Sequence, residues 1–573
     1  MMNLGPERSV AESGESAGGS ARTPSYGTTL RERAEVNARL CALGTLAGAG
    51  MFNESYFLFA IGNLELIWEA LYPECYATGP PEPGAEACKN GVASSITYLE
   101  VLGVIAGMLS FGYVADTFGR RIGSCLTAVI MCVCGILTTA AYGHNLTGQW
   151  IFFGVALFFF SYGVGGEFPL ASASAAEKAE EARKKKSITQ HIRGKSVVLT
   201  FAMQGVGNFA NTLFILFILL GQGCTGPSEE CSDRSLELTW RLQYAIGVVF
   251  LAFLVIGRLV YLKESTVWSA NKAKQSALGP QQLQQRRRRA KLVLKHYWHR
   301  LAGTSVSWFV WDAIYYGNKL FQNTIIAAII GRGSTIFRTL QYALVNSAVA
   351  LIALYMAAFF IDKPWMGRRR MQNLGFALMF VLFLISSLAY DELAKPENVP
   401  WFQALYYLTT FFGQFGPNAT TWLLPSELFP TDVRSQAHGF AASIGKVGAL
   451  FAALLLTYGD AGEKWSVQTI FMFCAVCAFV GLLVTETLIP DISTMDMSHT
   501  DDRWDLILAG REQEYTGAAV EPKYLSRYER AILPAKKPSP PLDQVQASSS
   551  NVDAKSRQSV PEDNSSSTVV QLA

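Results

Sequence analysis

The sequence predicts an all-α membrane protein with about twelve transmembrane helices. Half of its 573 residues are hydrophobic and only 16% are charged, whereas a water-soluble protein carries about 25% charged residues. Long apolar runs recur along the chain, and each reaches the roughly 18–20 residues that a helix needs to cross a bilayer. These runs do not alternate with a period of two, as the strands of a membrane barrel do. Helices are therefore the predicted membrane-spanning elements.

The apolar runs place the spans in order along the chain. They are residues 39–66, 93–115, 122–143, 149–171, 197–221, 239–262, 300–329, 340–361, 371–391, 401–424, 437–458 and 466–489. An even number of spans puts both ends of the chain on the same side of the membrane.

The charges of the loops predict which side that is. Four connections on one face are rich in Arg and Lys: DTFGRR, EKAEEARKKKSITQHIRGK, the long link that contains QQRRRR, and DKPWMGRRR. The first two connections on the other face carry few cations. Because cytoplasmic loops are enriched in Arg and Lys, we expect both termini in the cytoplasm. The expected location is the plasma membrane.

Composition divides the chain into five regions. No apolar signal segment opens the chain, and both of its ends are polar and rich in Ser. We predict a disordered cytoplasmic tail at residues 1–37, an N-terminal six-helix bundle at 38–262, a basic cytoplasmic linker at 263–299, a C-terminal six-helix bundle at 300–490 and a largely disordered cytoplasmic tail at 491–573.

Four cysteines lie in predicted outer loops. Cys75 and Cys88 share one loop, and Cys224 and Cys231 share another. Because disulfides form in oxidising compartments, this placement agrees with the predicted orientation and favours one disulfide in each loop. The alternative is four unpaired thiols.

The two halves of the chain carry matching motifs. GYVADTFGRR follows the second span and FFIDKPWMGRRR follows the eighth, while SASAAE and LLPSE end at Glu177 and Glu427 in equivalent places. A repeat of six spans with a long cytoplasmic link is the arrangement of major facilitator transporters, and GxxxDxxGRR resembles the signature of that superfamily. We therefore predict the major facilitator fold, in two six-helix halves. The predicted cytoplasmic gate consists of Asp116, Arg120, Glu177, Arg193, Glu427 and Arg434.

Five ionisable residues stand out inside predicted spans: Glu54, Glu167, Asp312, Lys319 and Lys446. Each costs roughly 2.5–3.5 kcal/mol to hold in hydrocarbon, so residues of this kind are functional candidates. Three acids against two bases indicate paired charges around a polar cavity, with Lys446 as the partner of Asp312. The alternative is a set of fixed structural ion pairs, and Glu54 and Lys319 also lie near enough to an interface to snorkel.

Other polar side chains extend this set. Trp308, Asp312 and Tyr316 are spaced i, i+4, i+8 and so share one helical face. Gln204 and Asn418 are amides inside spans, for which ordinary interhelical hydrogen bonding is the alternative reading.

The stretch FGPNATTWLLPSELFPTDVRSQAHGFAASIGKVGA, together with FAMQGVGN and WFVWDAIYYGNKLFQ, closely resembles the phosphate:proton symporter family of the major facilitator superfamily. The resemblance covers the transmembrane body, and the paired glutamines that sugar porters carry in the seventh helix are absent. It implies that phosphate is surrounded by Gln204, Trp308, Asp312, Tyr316, Asn418 and Lys446. It also implies that Glu54, Glu167 and Asp312 carry protons.

Several positions depart from the pattern of that family. Phe57 stands where the family has a second aspartate, Phe168 replaces a tyrosine, and Lys319 is a cation where plain phosphate carriers have none. The sequence GGE at 165–167 is similar to the branch of the family that carries glycerophosphodiesters.

The predicted function is proton-coupled import of inorganic phosphate by alternating access, with the lipid bilayer as the surrounding medium. The first alternative is a symporter of glycerophosphodiesters, such as glycerophosphoinositol, or of another organophosphate. The second is a receptor that senses phosphate without transporting it. The sequence contains no nucleotide loop, metal cluster or nucleophile constellation, so we expect no enzyme activity, no cofactor, no metal and no nucleic-acid partner.

Overall fold

The computed structural model describes residues 48–76, 88, 92–186, 193–226, 231–276, 282–320, 326, 335–458 and 465–532, except for some side chains near the ends of helices. Within these ranges the regular secondary structure is entirely helical. The predicted N-terminal tail, residues 1–37, lies outside them.

The N-terminal half is built from six long helices. These are α1 (Ala49–Leu71), α2 (Val92–Phe118), α3 (Arg120–Thr139), α4 (Leu146–Lys186), α5 (Arg193–Gly221) and α6 (Asp233–Tyr261). The predicted first span starts at residue 39, and its first nine residues lie outside the described part of the chain. Two short helices, Thr266–Ser276 and Gln282–His296, follow within the predicted linker.

The C-terminal half repeats this arrangement. Its helices are α7 (Trp298–Leu320), α8 (Ile336–Phe360), α9 (Gly367–Leu388), α10, α11 (Arg434–Tyr458) and α12 (Val467–Leu488). Helix α10 has three consecutive parts: Val399–Gly413, a π-helical turn at Gln414–Asn418, and Ala419–Leu428. The π-helical turn contains Pro417, which has no backbone N–H to donate, and such residues interrupt a regular α-helix.

The outer surface of the helices suits a lipid environment. Nine of the described helices are long and apolar enough to cross a membrane, and large apolar side chains such as Phe253 and Phe217 are exposed on them. The long segments outside that set are α1 and α7, which carry charged residues of the site described below, and the interrupted α10. Each of the twelve predicted spans therefore contains a helix or composite helix of the described chain, and residues 321–325 and 327–329 of the predicted seventh span lie outside that part of the chain.

Two helix pairs make the most extensive contacts between the halves: α2 packs against α11, and α5 packs against α8. Gly439 on α11 shows how close the first pair is, because a Cβ atom at this position would lie 2.3 Å from the carbonyl oxygen of Met108 on α2. Small residues permit this approach between membrane helices. The space between the halves is thus bounded by helices of both repeats.

The segment after α12 folds against the end of the C-terminal half at which α7 begins. It contains α13 (Ser498–Leu508) and α14 (Arg527–Ile532), and Trp504 and Ile507 are buried beside Tyr297. A largely disordered tail is expected from residue 491, whereas residues up to 532 are folded, because sparse apolar residues of the segment are covered by the transmembrane body. Residues 533–573 lie outside the described part of the chain.

The structure joins the outer-loop cysteines in pairs. Cys75 is bonded to Cys88, with 4.9 Å between their Cα atoms, and Cys224 is bonded to Cys231, with 5.4 Å between theirs. These are the pairs that the predicted orientation favours.

Candidate substrate site

The centre of the site is an ammonium group on α11 held by two side chains of α7. Nζ of Lys446 lies 3.0 Å from Oδ2 of Asp312 and donates a 3.0 Å hydrogen bond to the hydroxyl of Tyr316. Lys446 and Asp312 are only 6% and 3% exposed. The i, i+4 spacing of Asp312 and Tyr316 brings both side chains to the same cation, as the sequence pattern predicts.

Aromatic rings surround this cation. Lys446 Nζ lies 4.6 Å from the ring centroid of Tyr316 and 5.5 Å from that of Phe168 on α4, and both distances are within the range of cation–π attraction. Trp308 packs against Phe168 with ring centroids 6.3 Å apart. It also lies over Gly445, where a Cβ atom would approach its ring within 2.5 Å. The ammonium is therefore enclosed by rings from both halves.

The N-terminal half contributes carboxyl groups. Nε2 of Gln204 on α5 donates to both oxygens of Glu54 on α1, at 3.1 and 3.3 Å. Glu100 on α2 is buried as well, with 6% of its surface exposed. Glu54 and Glu100 both interact electrostatically with Lys446, so three acids, Asp312 included, act on one cation.

Glu167 has a cationic partner of its own. Arg258 on α6 donates to its two carboxylate oxygens at 2.6 and 2.5 Å, and Thr127 donates a short hydrogen bond to one of them. Gly50 on α1 covers the pair so closely that a Cβ atom there would collide with the carboxylate. Glu167 also interacts electrostatically with Glu54, which connects it to the central acids.

Asn418 lies in the π-helical turn of α10 and forms hydrogen bonds within the C-terminal half. Its Oδ1 accepts a 2.9 Å hydrogen bond from Nε1 of Trp311, and its Nδ2 donates to Gln414 at 2.5 Å. The described structure shows no hydrogen bond between Asn418 and Lys446. Asn418 is thus placed beside Trp311, on the neighbouring face of α7.

The structure describes the side chain of Phe57 but not that of Lys319, two positions at which the sequence departs from the family pattern. Phe57 is fully buried and packs against Phe160 and Tyr244, with ring centroids 4.5 and 5.4 Å apart, so it belongs to the apolar core of the N-terminal half. The backbone of Lys319 belongs to α7, but its side chain lies outside the described part of the structure.

The predicted gate residues form buried charge clusters at the helix ends next to the Arg- and Lys-rich connections. In the N-terminal half, Arg120 binds Asp116 and Glu177, each at 2.9 Å. Asp116 also accepts a 3.0 Å hydrogen bond from the backbone of Gln436, and Arg434 lies 3.7 Å from Glu177. Gln436 and Arg434 belong to the other half, so this cluster joins the two halves.

A second cluster centres on Glu427 of the C-terminal half. It binds Arg193 of the N-terminal half at 2.6 Å and Arg368 at 3.0 Å, and Arg368 binds Asp362 at 2.8 Å. The backbone N–H of Lys195 donates to Asp362 at 2.7 Å. With both clusters formed, the two halves are held together at this end.

Sequence reasoning missed Glu100, Arg258 and Arg368. The signal for Glu100 is a single acid within the apolar run ITYLEVLGV, and the signal for Arg258 is a lone cation near the end of its span. Arg368 is one of three consecutive arginines, and only the fold shows which of them turns inwards.

Two six-helix halves that enclose buried charges and close at one end define a membrane transporter of the major facilitator superfamily. The chain belongs to the sugar (and other) transporter family, whose profile matches residues 82–497. It is 31% identical over 487 residues to the low affinity inorganic phosphate transporter 4 of Lotus japonicus, covering 77% of this chain and 88% of that protein. It is 29% identical to the inorganic phosphate transporter 1-1 of Arabidopsis thaliana, covering 78% and 91%.

Solved structures show the same fold. The proton:xylose symporter XylE bound to 6-bromo-6-deoxy-D-glucose matches with a TM-score of 0.62 and 18% identity, covering 82% of this chain and 99% of that chain. The inward-open form of the xylose transporter XylE from E. coli matches with a TM-score of 0.55 and 17% identity, covering 81% and 99%. Fold and relatives together define a transporter and not an enzyme.

Proposed function

We propose that this protein imports inorganic phosphate together with protons by alternating access. Two relatives that it covers almost in full are named inorganic phosphate transporters. The observation that carries the proposal is the buried ammonium of Lys446, which is held by one carboxylate and one phenol between the two halves. Asp312 balances this buried cation, and phosphate, as another anion, would compete with that carboxylate for the ammonium.

Hydrogen-bond donors for phosphate converge on this cation. Lys446 supplies N–H groups, and the Tyr316 hydroxyl, which accepts from Lys446, keeps its own proton for donation. The amide of Gln204 and the indole N–H of Trp308 complete the donors assigned to phosphate. Asn418 is assigned to the same site because it accepts a hydrogen bond from the indole N–H of Trp311, which lies on α7 next to Asp312.

Proton coupling follows from the charge balance of the site. Glu54, Glu100 and Asp312 all interact with Lys446, so the acids outnumber the cation and repel an entering anion when they are ionised. Protons bound to the surplus carboxylates remove this repulsion, and an anion and protons then enter together. Glu167 is assigned to the proton route through its electrostatic contact with Glu54.

The ion pairs between the halves provide the cytoplasmic gate. Arg193–Glu427 and the Asp116–Gln436 contact must break before the cytoplasmic side opens. In this proposal the protein lies in the plasma membrane, both termini are cytoplasmic, and the basic connections face the cytoplasm.

Uptake into proteoliposomes tests this function. Labelled phosphate should accumulate when the outside is acidic, and a protonophore should abolish the accumulation. Phosphate uptake that is absent, or that is unaffected by the protonophore, contradicts phosphate import or proton coupling, respectively. A purified protein that binds phosphate but does not move it would support a sensor instead.

A further inference from the structure

The helix Gln282–His296, which precedes α7, has a basic face that the proposed transport mechanism does not use. Arg288, Lys291 and Lys295 are spaced i, i+3 and i+7, so they lie on one side of the helix. All three side chains are exposed. Val293, on the other side of the helix, is buried against the segment after α12. The basic face therefore points away from the protein.

Two lysines of this face lack an acidic partner. Within the described residues, neither Lys291 nor Lys295 forms an ion pair, whereas the adjacent His296 lies 2.8 Å from Glu512. Lys291 and Lys295 are four residues apart, and like charges at this spacing repel each other. An anion from outside the protein would relieve this repulsion.

Large apolar side chains lie on the same face. Leu294 is 59% exposed and Trp298, the first residue of α7, is 45% exposed. The 23 residues of α7 extend about 35 Å, slightly more than the roughly 30 Å of the hydrocarbon core. The start of α7 is therefore placed at the membrane surface, where exposed tryptophans are common.

Helix α14 extends this surface. The ring of Tyr528 packs edge-on against Trp298, with centroids 5.4 Å apart. Arg530, on the same short helix, is exposed, and the adjoining Ile532 is 56% exposed. Cations and apolar side chains thus alternate over two elements that meet at the start of α7, and this combination is typical of surfaces that bind the membrane interface.

A phospholipid fits this surface better than a soluble anion does. Free phosphate would satisfy the lysines but would leave Leu294 and Trp298 exposed to water. A phospholipid brings a charged headgroup and acyl chains together. Anionic phospholipids are characteristic of the cytoplasmic leaflet, which is the side on which the proposed function places the basic connections.

We propose that an anionic phospholipid binds the face that consists of Lys291, Lys295, Leu294 and Trp298. Its phosphate lies at the two lysines, and its acyl chains lie on the apolar pair. The choice of leaflet rests on the proposed function. Because α7 begins in this lipid site and carries Asp312, the bound lipid stabilises the helix that supplies the carboxylate of the substrate site.

Thermal unfolding of the purified full-length protein in a neutral detergent tests the lipid site. Phosphatidylserine should raise the melting temperature at a lower concentration than phosphatidylcholine with the same acyl chains. Each lysine near an anionic surface strengthens binding roughly five-fold, so the double variant Lys291→Gln/Lys295→Gln should need about twenty-five-fold more phosphatidylserine for the same rise. Raising the salt concentration to about 0.5 M should weaken the response of the wild type, because salt screens exposed charges.

Lys395→Gln/Lys523→Gln is the matched control. It also removes two exposed lysines, but each of these is paired with a neighbouring glutamate, Glu392 and Glu521 respectively. The control should respond to phosphatidylserine as the wild type does. Equal responses of the wild type to the two lipids, or an equal loss in the two double variants, would overturn the lipid site.

Sodium phosphate in place of lipid tests a soluble anion as the occupant. A rise in melting temperature that Lys291→Gln/Lys295→Gln loses and the control keeps would show that the lysines bind free phosphate, and it would also overturn the lipid site. The lipid response does not require transport. Absence of phosphate uptake together with a preference for phosphatidylserine would reject phosphate import and support the lipid site, whereas normal uptake without this preference would reject the lipid site alone.

Discussion

The ammonium of Lys446 and the carboxylate of Asp312 form a buried ion pair that joins α11 to α7, with 3.0 Å between Nζ and Oδ2. Each charge has lost most of its contact with water, so each depends on the other for stabilisation. An anion that binds Lys446 competes with Asp312 for the same N–H groups. Protonation of Asp312 relieves that competition, which links substrate and proton at one pair of atoms.

We expect Asp312→Asn to abolish phosphate uptake. The substitution keeps the shape of the side chain but leaves Lys446 without its carboxylate and removes a group that can exchange a proton. Phosphate that binds Lys446 should then meet no competition from Asp312 and should dissociate slowly or remain bound. The measurement is uptake into proteoliposomes, with the amount of folded protein checked by size-exclusion chromatography.

Asp233→Asn provides the control for this change. Asp233 opens α6 near the outer surface and is exposed, so uptake should stay near that of the wild type. Wild-type uptake by Asp312→Asn would show that Asp312 does not couple protons to substrate.

Tyr316→Phe should weaken phosphate binding without preventing turnover. The change removes the hydroxyl that accepts a 3.0 Å hydrogen bond from Lys446 and keeps the ring beside the cation. The loss of one hydrogen bond to a charged group costs about 1.5–3 kcal/mol, so KM should rise roughly ten-fold or more while the maximal rate changes little. Concentration-dependent uptake measures both quantities. A lower maximal rate at unchanged KM would place Tyr316 in the conformational change instead of the binding step.

The helices and the shared face of Asp312 and Tyr316 follow from local sequence patterns, and most of the partners across helices do not. The i, i+4 spacing places Asp312 and Tyr316 on one face of α7, and each predicted span contains an observed helix. The partner of Glu167, in contrast, is Arg258, 91 residues away, and it is brought there by the packing of α6 against α3, which itself packs against α4. An arginine near the end of a span, as Arg258 is, can extend its side chain to the membrane surface instead of pairing with an acid inside. The sequence alone does not distinguish these two arrangements.

The folded segment after α12 escaped sequence reasoning for a related reason. Its apolar residues, such as Trp504 and Ile507, are too few to form a core by themselves and become buried only against the transmembrane body. Composition therefore resembles that of a disordered tail, although the segment is folded up to residue 532.

Arg258→Met should destabilise the protein strongly, because it leaves the carboxylate of Glu167 buried without a cation. Removing one partner of a buried ion pair costs about 3–5 kcal/mol. Adding Glu167→Gln to the same protein removes the unpaired charge and should restore most of the melting temperature. Thermal unfolding in detergent measures both effects.

The double variant also tests the proposed role of Glu167. If Glu167 carries protons, the stable double variant should take up phosphate poorly or without sensitivity to a protonophore. Normal, protonophore-sensitive uptake would show that the pair with Arg258 is purely structural.

The segment after α12 should stabilise the start of α7 in a pH-dependent way. Glu529 on α14 accepts hydrogen bonds from Arg300 and His299, each at 2.8 Å. Burial raises the pKa of the Glu529 carboxyl, but Arg300 and His299 outweigh burial and hold that pKa well below its ordinary value near 4.5. A carboxyl with a depressed pKa stabilises the fold above its unfolded-state pKa, and this stabilisation is lost as the pH falls below that value.

Glu529→Gln should therefore lower the melting temperature at pH 7, and the difference from the wild type should shrink as the pH falls below about 4.5. Glu521→Gln is the control, because Glu521 pairs only with the exposed Lys523 in the described structure and should have little effect at any pH. If the difference in melting temperature between Glu529→Gln and the wild type is constant with pH, the contact of Glu529 with Arg300 and His299 stabilises the fold through packing and not through charge.

Glu427→Gln should open the cytoplasmic side. Glu427 binds Arg193 across the interface between the halves and Arg368 within its own half, so the neutral side chain weakens the contact that holds the cytoplasmic ends together. Spin labels on cysteines that replace the exposed Phe118 and Trp365 report the distance between the two halves. The longer-distance population should grow in Glu427→Gln.

The same population should stay unchanged in the control Glu486→Gln, because Glu486 pairs with Arg369 and Arg527, which both belong to the C-terminal side. An unchanged distribution in Glu427→Gln would show that the remaining contacts, above all Asp116 with Gln436, are sufficient to keep the gate closed.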